Sequence, residues 1–192
     1  MNRSNALICG VVLSVCTSRA VAQHQGSQGG AGRGSSKTSS SDDLHDFKRA
    51  VALQASPDQV SQFNQLATST QAARKATQEL LQLSAKAGNP DLSHSADNLP
   101  SAVEDVQTDN EKFLRTFTKV QQSELKKITK KLEKANSEMS KESKALGPAA
   151  SKSDGKQIAS VAERLDKALG DFAAAQAALA NEMGIPQETT SQ

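Results

Sequence analysis

Apolar residues recur at intervals of three and four along most of this chain, which is the period of an α-helix with one buried face. Alternating apolar and polar residues, as in a half-buried strand, are not found. The pattern predicts four helices, over residues 41–55, 57–87, 101–146 and 154–183. We therefore predict an all-α fold: an elongated antiparallel helical bundle or coiled coil of three long helices plus one short helix.

Two of the predicted helices begin at recognisable capping sequences. Ser56 is followed by Pro57 and, three positions on, by Gln59, which is a capping box with proline at the first helical position. Ser101 and Glu104 have the same spacing and predict the start of the third helix. Because neither Gly nor Pro interrupts residues 101–146, this third helix is expected to be the long spine of the fold.

Glycine and proline mark the predicted helix ends. Residues 88–100, which open with Gly-Asn-Pro, are predicted to be a loop, and Gly147 with Pro148 is predicted to end the third helix. At the end of the fourth helix, Gly184 and Ile185 predict a Schellman terminus, in which glycine adopts a left-handed conformation and the next apolar residue folds back on the last turn.

The predicted inward faces contain nearly all of the large apolar residues. Every phenylalanine of the sequence falls on such a face: Phe47, Phe63, Phe113, Phe117 and Phe172. Met139 and Met183 do so as well, and Leu44 and Val51 continue the face of the first helix. In the third helix, whose apolar face includes Val120, the step between Phe117 and Leu125 is four plus four through Gln121, which we interpret as a stutter in a continuous helix. These residues are the expected core.

The first 22 residues have the features of a secretory signal peptide. A basic residue, Arg3, precedes a short apolar run over residues 6–13, and Ala20-Val21-Ala22 is a small-residue cleavage site. Cleavage after Ala22 would deliver the chain to the periplasm or the exterior. An alternative is a lipid anchor at Cys16, although the residue before that cysteine is Val15, which only approximates the usual pattern.

Signal removal changes the composition in two ways. It takes both cysteines, so no disulfide, zinc site or thiol nucleophile is expected in the mature chain. It also takes Arg3 and Arg19, leaving 21 of 23 basic residues against 21 acidic ones, a neutral balance that argues against nucleic-acid binding. Residues 23–40, rich in Gly, Ser and Gln, are predicted to be a disordered tether. Residues 41–186 would form the helical domain, and 187–192 a disordered tail.

No pattern in the sequence predicts catalysis, a cofactor or a metal centre. His45 and His94 each have aspartates nearby but neither has a second histidine or a cysteine at ligand spacing. The serines and threonines lie at caps, in the tether or on outward faces, without a local base to activate them. We therefore expect no catalytic, cofactor-binding or metal-binding residues.

A lysine-rich segment in the second half of the predicted third helix is the candidate ligand site. We define the lysine cluster as Lys126, Lys127, Lys130 and Lys131. One interpretation is a solvated helix face, on which acids near the start of the helix and bases near its end match the helix dipole. The other is a cationic patch that makes weak contact with an anionic envelope polymer or lipid headgroup.

One short segment invites comparison with a known family. Residues 53–59 read Leu-Gln-Ala-Ser-Pro-Asp-Gln, which resembles the Leu-x-Leu-Thr-Pro-Glu-Gln element of the small helical periplasmic proteins of the Spy and CpxP kind. The match covers seven residues and departs from the pattern at Ala55. This resemblance implies an envelope-stress chaperone or a metal-response role.

Export, an all-helical pattern and a neutral mature charge together favour a non-enzymatic module of the bacterial cell envelope. Its expected partner is another protein, or a second copy of itself, bound through the helix seams. The alternative function is a periplasmic chaperone that holds unfolded proteins on an amphipathic helix face.

Overall fold

The computed structural model describes residues 39–85, 91–152 and 154–186, and within these stretches helix is the sole regular secondary structure. The helices are α1 (Ser39–Leu53), α2 (Pro57–Ser84), α3 (Asp91–Arg115), α4 (Lys119–Glu124), α5 (Lys126–Ser151) and α6 (Gly155–Glu182). The all-α prediction is confirmed. The number of helices was predicted incorrectly, because four long helices and two short ones, α1 and α4, replace the three long helices and one short helix predicted.

Parts of the predicted organisation lie outside the described residues. These are the signal peptide at 1–22, almost all of the tether at 23–40, and the tail at 187–192. The exceptions are Ser39 and Ser40, which were assigned to the tether and instead open α1. Among the described residues, no helix is both long and apolar enough to cross a membrane.

The prediction of one continuous helix over 101–146 is wrong, because the chain ends α3 at Arg115 and restarts at Thr118. The Thr118 side chain accepts a hydrogen bond from the backbone of Gln121, whose side chain accepts one from the Thr118 backbone, completing a capping box. The Thr116 hydroxyl donates to the Phe113 carbonyl at 2.6 Å. What looked like a stutter is therefore a turn, and the local signal for it was the Thr-x-x-Gln spacing.

Two predicted breaks are also wrong. The predicted loop at 88–100 is helical from Asp91 onward, so Pro100 and Ser101 lie inside α3. Pro148 lies inside α5, in its last turn, where the helix continues to Ser151. Burial of the apolar face outweighs the local proline penalty in α3, since Leu99 and Val103 on either side of the proline are only 1% exposed.

The long helices contact one another in a closed ring: α2 packs on α3 and α6, and α5 packs on the other sides of α3 and α6. Neighbours run antiparallel, because Phe63 early in α2 meets Phe113 late in α3, and Glu142 late in α5 meets Arg164 early in α6. We call this arrangement the four-helix ring. It replaces the predicted arrangement, in which one long helix over residues 101–146 was the spine of the fold.

The interior of the four-helix ring holds most of the predicted apolar face. Phe113 stacks edge-on against both Phe63 and Phe117, with ring centroids 5.5 and 5.1 Å apart. Met139 and Met183 are fully buried, as predicted. Such edge-to-face aromatic pairs contribute about 0.5–1.5 kcal/mol each beyond the area they bury.

The two capping boxes meet at one end of the four-helix ring. The Gln59 side chain donates to the Gln121 carbonyl oxygen at 2.9 Å and to the backbone carbonyl of Thr116 at 3.0 Å. The Gln121 amide in turn lies 3.4 Å from the carbonyl of Leu53. Both glutamines are almost completely buried, so each cap residue also ties α2 to the start of α4.

The end of α6 was correctly predicted. Gly184 has φ +64°, its N–H donates to Asn181, and the Ile185 N–H donates to the Ala180 carbonyl at 2.9 Å. These are the two hydrogen bonds of a Schellman terminus. Ile185 is buried, which supplies the accompanying apolar contact.

Helix α1 is not part of the four-helix ring and contacts α4. Its last residue, Leu53, is buried, but Leu44, Phe47 and Val51 are 53%, 66% and 55% exposed. The prediction that these three residues face inward is therefore wrong. Val120 of α4, also expected in the core, is 48% exposed. The apolar spacing indicated a helix correctly, but nothing local determines whether another element covers its face.

Candidate functional sites: the lysine cluster, the α5–α6 groove and the stripe of α1

All four residues of the lysine cluster are exposed, and none forms an ion pair with another described residue. The cluster occupies the beginning of α5, where Lys126 and Lys127 are the first two helical residues. A helix N-terminus carries partial positive charge, so bases there are disfavoured by roughly 0.3–1 kcal/mol each. The dipole-matching explanation therefore fails, because it depended on a helix that began at residue 101.

The structure divides the cluster between two sides of α5. Lys126 and Lys130 line a shallow cavity of about 550 Å³ beside α4, together with Lys119 and Phe117. Lys131 lines the opposite side, against α6. The four lysines thus form a cationic ridge along one helix, with Lys126 and Lys130 on one flank and Lys131 on the other.

The second flank is a groove of about 640 Å³ between α5 and α6, which we call the α5–α6 groove. Its floor is apolar and made mostly of alanine, including Ala135, Ala168, Ala174, Ala175 and Ala178. Because alanine side chains are short, the two helices leave a trough where larger residues would have filled the space. The sequence shows that α6 is rich in alanine, but it does not show which helix packs against α6.

Charged side chains form the walls of the α5–α6 groove. Glu142 is nearly buried and accepts a hydrogen bond from Arg164 at 2.7 Å, with Lys141 3.8 Å away. In contrast, Lys131, Lys134 and Lys167 make no ion pair with a described residue. Glu138, also in the lining, is paired with Lys141, whereas Asp171 makes no ion pair with a described residue. The groove lining therefore holds five cations and three acids, and is cationic on balance. The buried acid was missed in the sequence, although Glu142 follows Met139 by three positions on the same face.

A separate buried acid lies between α2 and α3. Asp109 accepts hydrogen bonds from Gln65, Ser69 and Lys112, at 3.0, 2.5 and 3.1 Å. Desolvation by burial alone would raise its pKa, but the hydrogen bonds from Ser69 and Lys112 and the charge of Lys112 more than offset this and lower the pKa below its usual range. All four groups satisfy one another, so Asp109 is a helix-pairing residue.

The histidines do not come together in the structure. His45 is exposed on α1, and His94, which was expected in a loop, lies in α3 with its ring nitrogen 3.2 Å from the Asn98 amide. Over the described stretches, no group of three or more His, Cys, Asp or Glu side chains is placed to hold a metal ion.

The third candidate surface is the exposed apolar stripe of α1, defined as Leu44, Phe47 and Val51. These residues are spaced three and four apart, so they lie on one side of the helix, and Leu53 lies on the opposite side. Arg49, paired with Glu124 at 2.8 Å, holds the helix against α4. The stripe therefore points away from the α4 contact.

Comparison with known proteins returned no matching family model, no similar curated protein and no similar solved structure. The class of protein is therefore defined by the fold of the described residues alone, which is all-α and built on the four-helix ring. The resemblance of residues 53–59 to the Spy and CpxP element remains a prediction.

Proposed function

We propose that this chain is an exported, non-enzymatic interaction module of the bacterial cell envelope, and that the stripe of α1 is its main contact surface. The single observation that supports this most strongly is the exposure of Leu44, Phe47 and Val51, each more than half accessible to solvent. Apolar side chains grouped on one exposed face mark binding surfaces more often than isolated ones do.

The energetics of α1 favour the same conclusion. A 15-residue helix is marginally stable by itself in water, and most helices depend on burying an apolar face. Helix α1 is attached at its end by Leu53, by the Arg49–Glu124 ion pair and by a backbone hydrogen bond from Ala55 to Met183. A bound partner covering the stripe would supply the burial that the described chain does not.

Site-specific photo-crosslinking in cells tests this proposal. A photoreactive amino acid replaces Phe47 in the full-length chain, and a matched control places it at Gln71, an exposed polar position on α2. An interaction module should give one or two adducts of discrete mass from position 47 and none from position 71. No adduct, or the same adducts from both positions, would contradict the proposal.

The exposed stripe also supports a second candidate, a periplasmic chaperone that holds unfolded proteins. In the same crosslinking experiment a chaperone should give a broad smear of adducts, because its clients differ in mass. It should also suppress aggregation of an unrelated denatured protein at stoichiometric amounts, and Phe47→Ser should remove that activity. An interaction module with a dedicated partner should show no suppression.

We further propose that the lysine cluster gives the module weak affinity for an anionic envelope surface. Support comes from the start of α5, where Lys126 and Lys127 lie in the first turn against the helix dipole, and none of the four lysines is paired with a described acid. Such a contact would be electrostatic and sensitive to salt, because exposed charges are screened over roughly 8 Å at physiological ionic strength.

A further inference from the structure

Two surfaces that no described residue covers complement each other. The stripe of α1 is convex and carries three large apolar side chains, whereas the α5–α6 groove is concave and has a floor of small apolar ones. Large side chains pack well into spaces between short ones, which is the general geometry of a helix bound in a groove. Shape and apolar character therefore match.

The charges of the two surfaces match as well. The sequence of α1 contains three acids, Asp42, Asp43 and Asp46, and two bases, Lys48 and Arg49. Arg49 is already paired with Glu124. Among the described residues, the α5–α6 groove has three lysines outside any ion pair, Lys131, Lys134 and Lys167, against one such acid, Asp171. The groove is therefore cationic on balance, and α1 is acidic on balance. An acidic helix with an apolar face is the kind of ligand that such a groove would attract.

We propose that α1 of one copy docks in the α5–α6 groove of a second copy. This inference rests on the proposed function, since it names the partner of the stripe. The helix of the same copy is not available to the groove in the observed arrangement, because Arg49 and Ala55 hold it beside α4 and the end of α6. If each copy inserts its α1 into the other, the contacts are reciprocal and close a twofold dimer.

The size of the contact indicates a weak dimer. Helix α1 is about 22 Å long at 1.5 Å per residue, and three apolar side chains anchor it. Stable protein complexes usually bury at least about 1,200 Å² in total, a value that one such helix falls short of and that two reciprocal helices approach. Dissociation constants in the micromolar range or weaker are therefore expected.

Sedimentation of the mature protein over a range from about 1 μM to 1 mM tests the dimer. The wild type should shift from monomer to dimer as concentration rises. Reversing the groove charges with Lys131→Glu, Lys134→Glu and Lys167→Glu should raise the dissociation constant at least about tenfold. The matched control carries Lys144→Glu, Lys152→Glu and Lys156→Glu, which changes the net charge equally at exposed sites outside the groove and should leave the dimer intact.

Crosslink mapping decides the binding mode independently of these variants. A photoreactive residue at position 47 of one isotope-labelled copy should attach to groove residues of an unlabelled copy, such as Ala174 or Ala178. A wild type that stays monomeric throughout, a groove variant that dimerises like the control, or crosslinks that map elsewhere would each overturn the inference. The proposed function would survive those results if position 47 still gave a discrete adduct with another protein, and would fall if position 47 gave no adduct or the same adducts as position 71.

Discussion

Truncating two phenylalanines, one at a time, provides the sharpest test of the structure. Phe117 and Phe47 both occur in helical apolar patterns, and the sequence predicts both to be buried. The structure separates them, with Phe117 only 6% exposed and Phe47 66% exposed. Phe117→Ala and Phe47→Ala therefore form a matched pair in which the chemical change is identical and only the surroundings differ.

The expected cost of Phe117→Ala follows from what the ring contacts. Removing a buried phenylalanine ring costs about 3–5 kcal/mol, and the lost edge-on contact with Phe113 accounts for roughly 0.5–1.5 kcal/mol of that. For a chain of this size the thermal midpoint should fall by roughly 6–20 °C. Phe47→Ala should change stability by no more than about 0.5 kcal/mol in dilute solution, since no core contact is lost.

Urea unfolding followed by far-ultraviolet circular dichroism measures both effects. The protein should be kept at low micromolar concentration, so that any dimer contact at α1 does not contribute. Equal losses from the two variants would show that the stripe of α1 is buried within the chain. A loss below about 1 kcal/mol for Phe117→Ala would show that the turn between α3 and α4 is not packed as described.

Three further predictions concern polar groups. Asp109→Asn should lower the free energy of unfolding by about 1–3 kcal/mol at neutral pH. Because the folded-state pKa of Asp109 is lowered, the stabilisation by its carboxylate is present above the unfolded-state pKa and is lost as pH falls through the folded-state pKa. The stabilities of wild type and variant, measured by urea titration, should therefore converge in acid. A double-mutant cycle with Gln59→Ala and Gln121→Ala should give a coupling energy of about 0.5–3 kcal/mol, and strict additivity would show that the two caps act separately. Replacing the whole lysine cluster by glutamine should preserve helicity but abolish salt-sensitive binding to anionic vesicles, and a wild type that binds none would refute the cationic ridge.

Residue type and spacing predicted the helix ends whose hydrogen bonds join residues close together in the sequence. The capping box at Ser56 and Gln59 and the Schellman terminus at Gly184 involve hydrogen bonds between residues three to five positions apart, so residue type and spacing were sufficient to predict them. The same kind of signal was present at Thr118 and Gln121. It was missed because the apolar spacing continued across the turn and made a single helix the simpler interpretation.

Tertiary contacts decided the features that no local pattern contains. The stripe of α1 has the spacing of a buried face, yet burial requires a second element on that side, and in the described chain none lies there. The α5–α6 groove exists because the alanines of α6 lie opposite Ala135, a juxtaposition that only the fold produces. The interpretation of the lysine cluster likewise changed, because a second break in the predicted helix, at Leu125, places the cluster at the start of α5. A sequence period specifies which side of a helix is apolar, and the packing of the other helices specifies what that side meets.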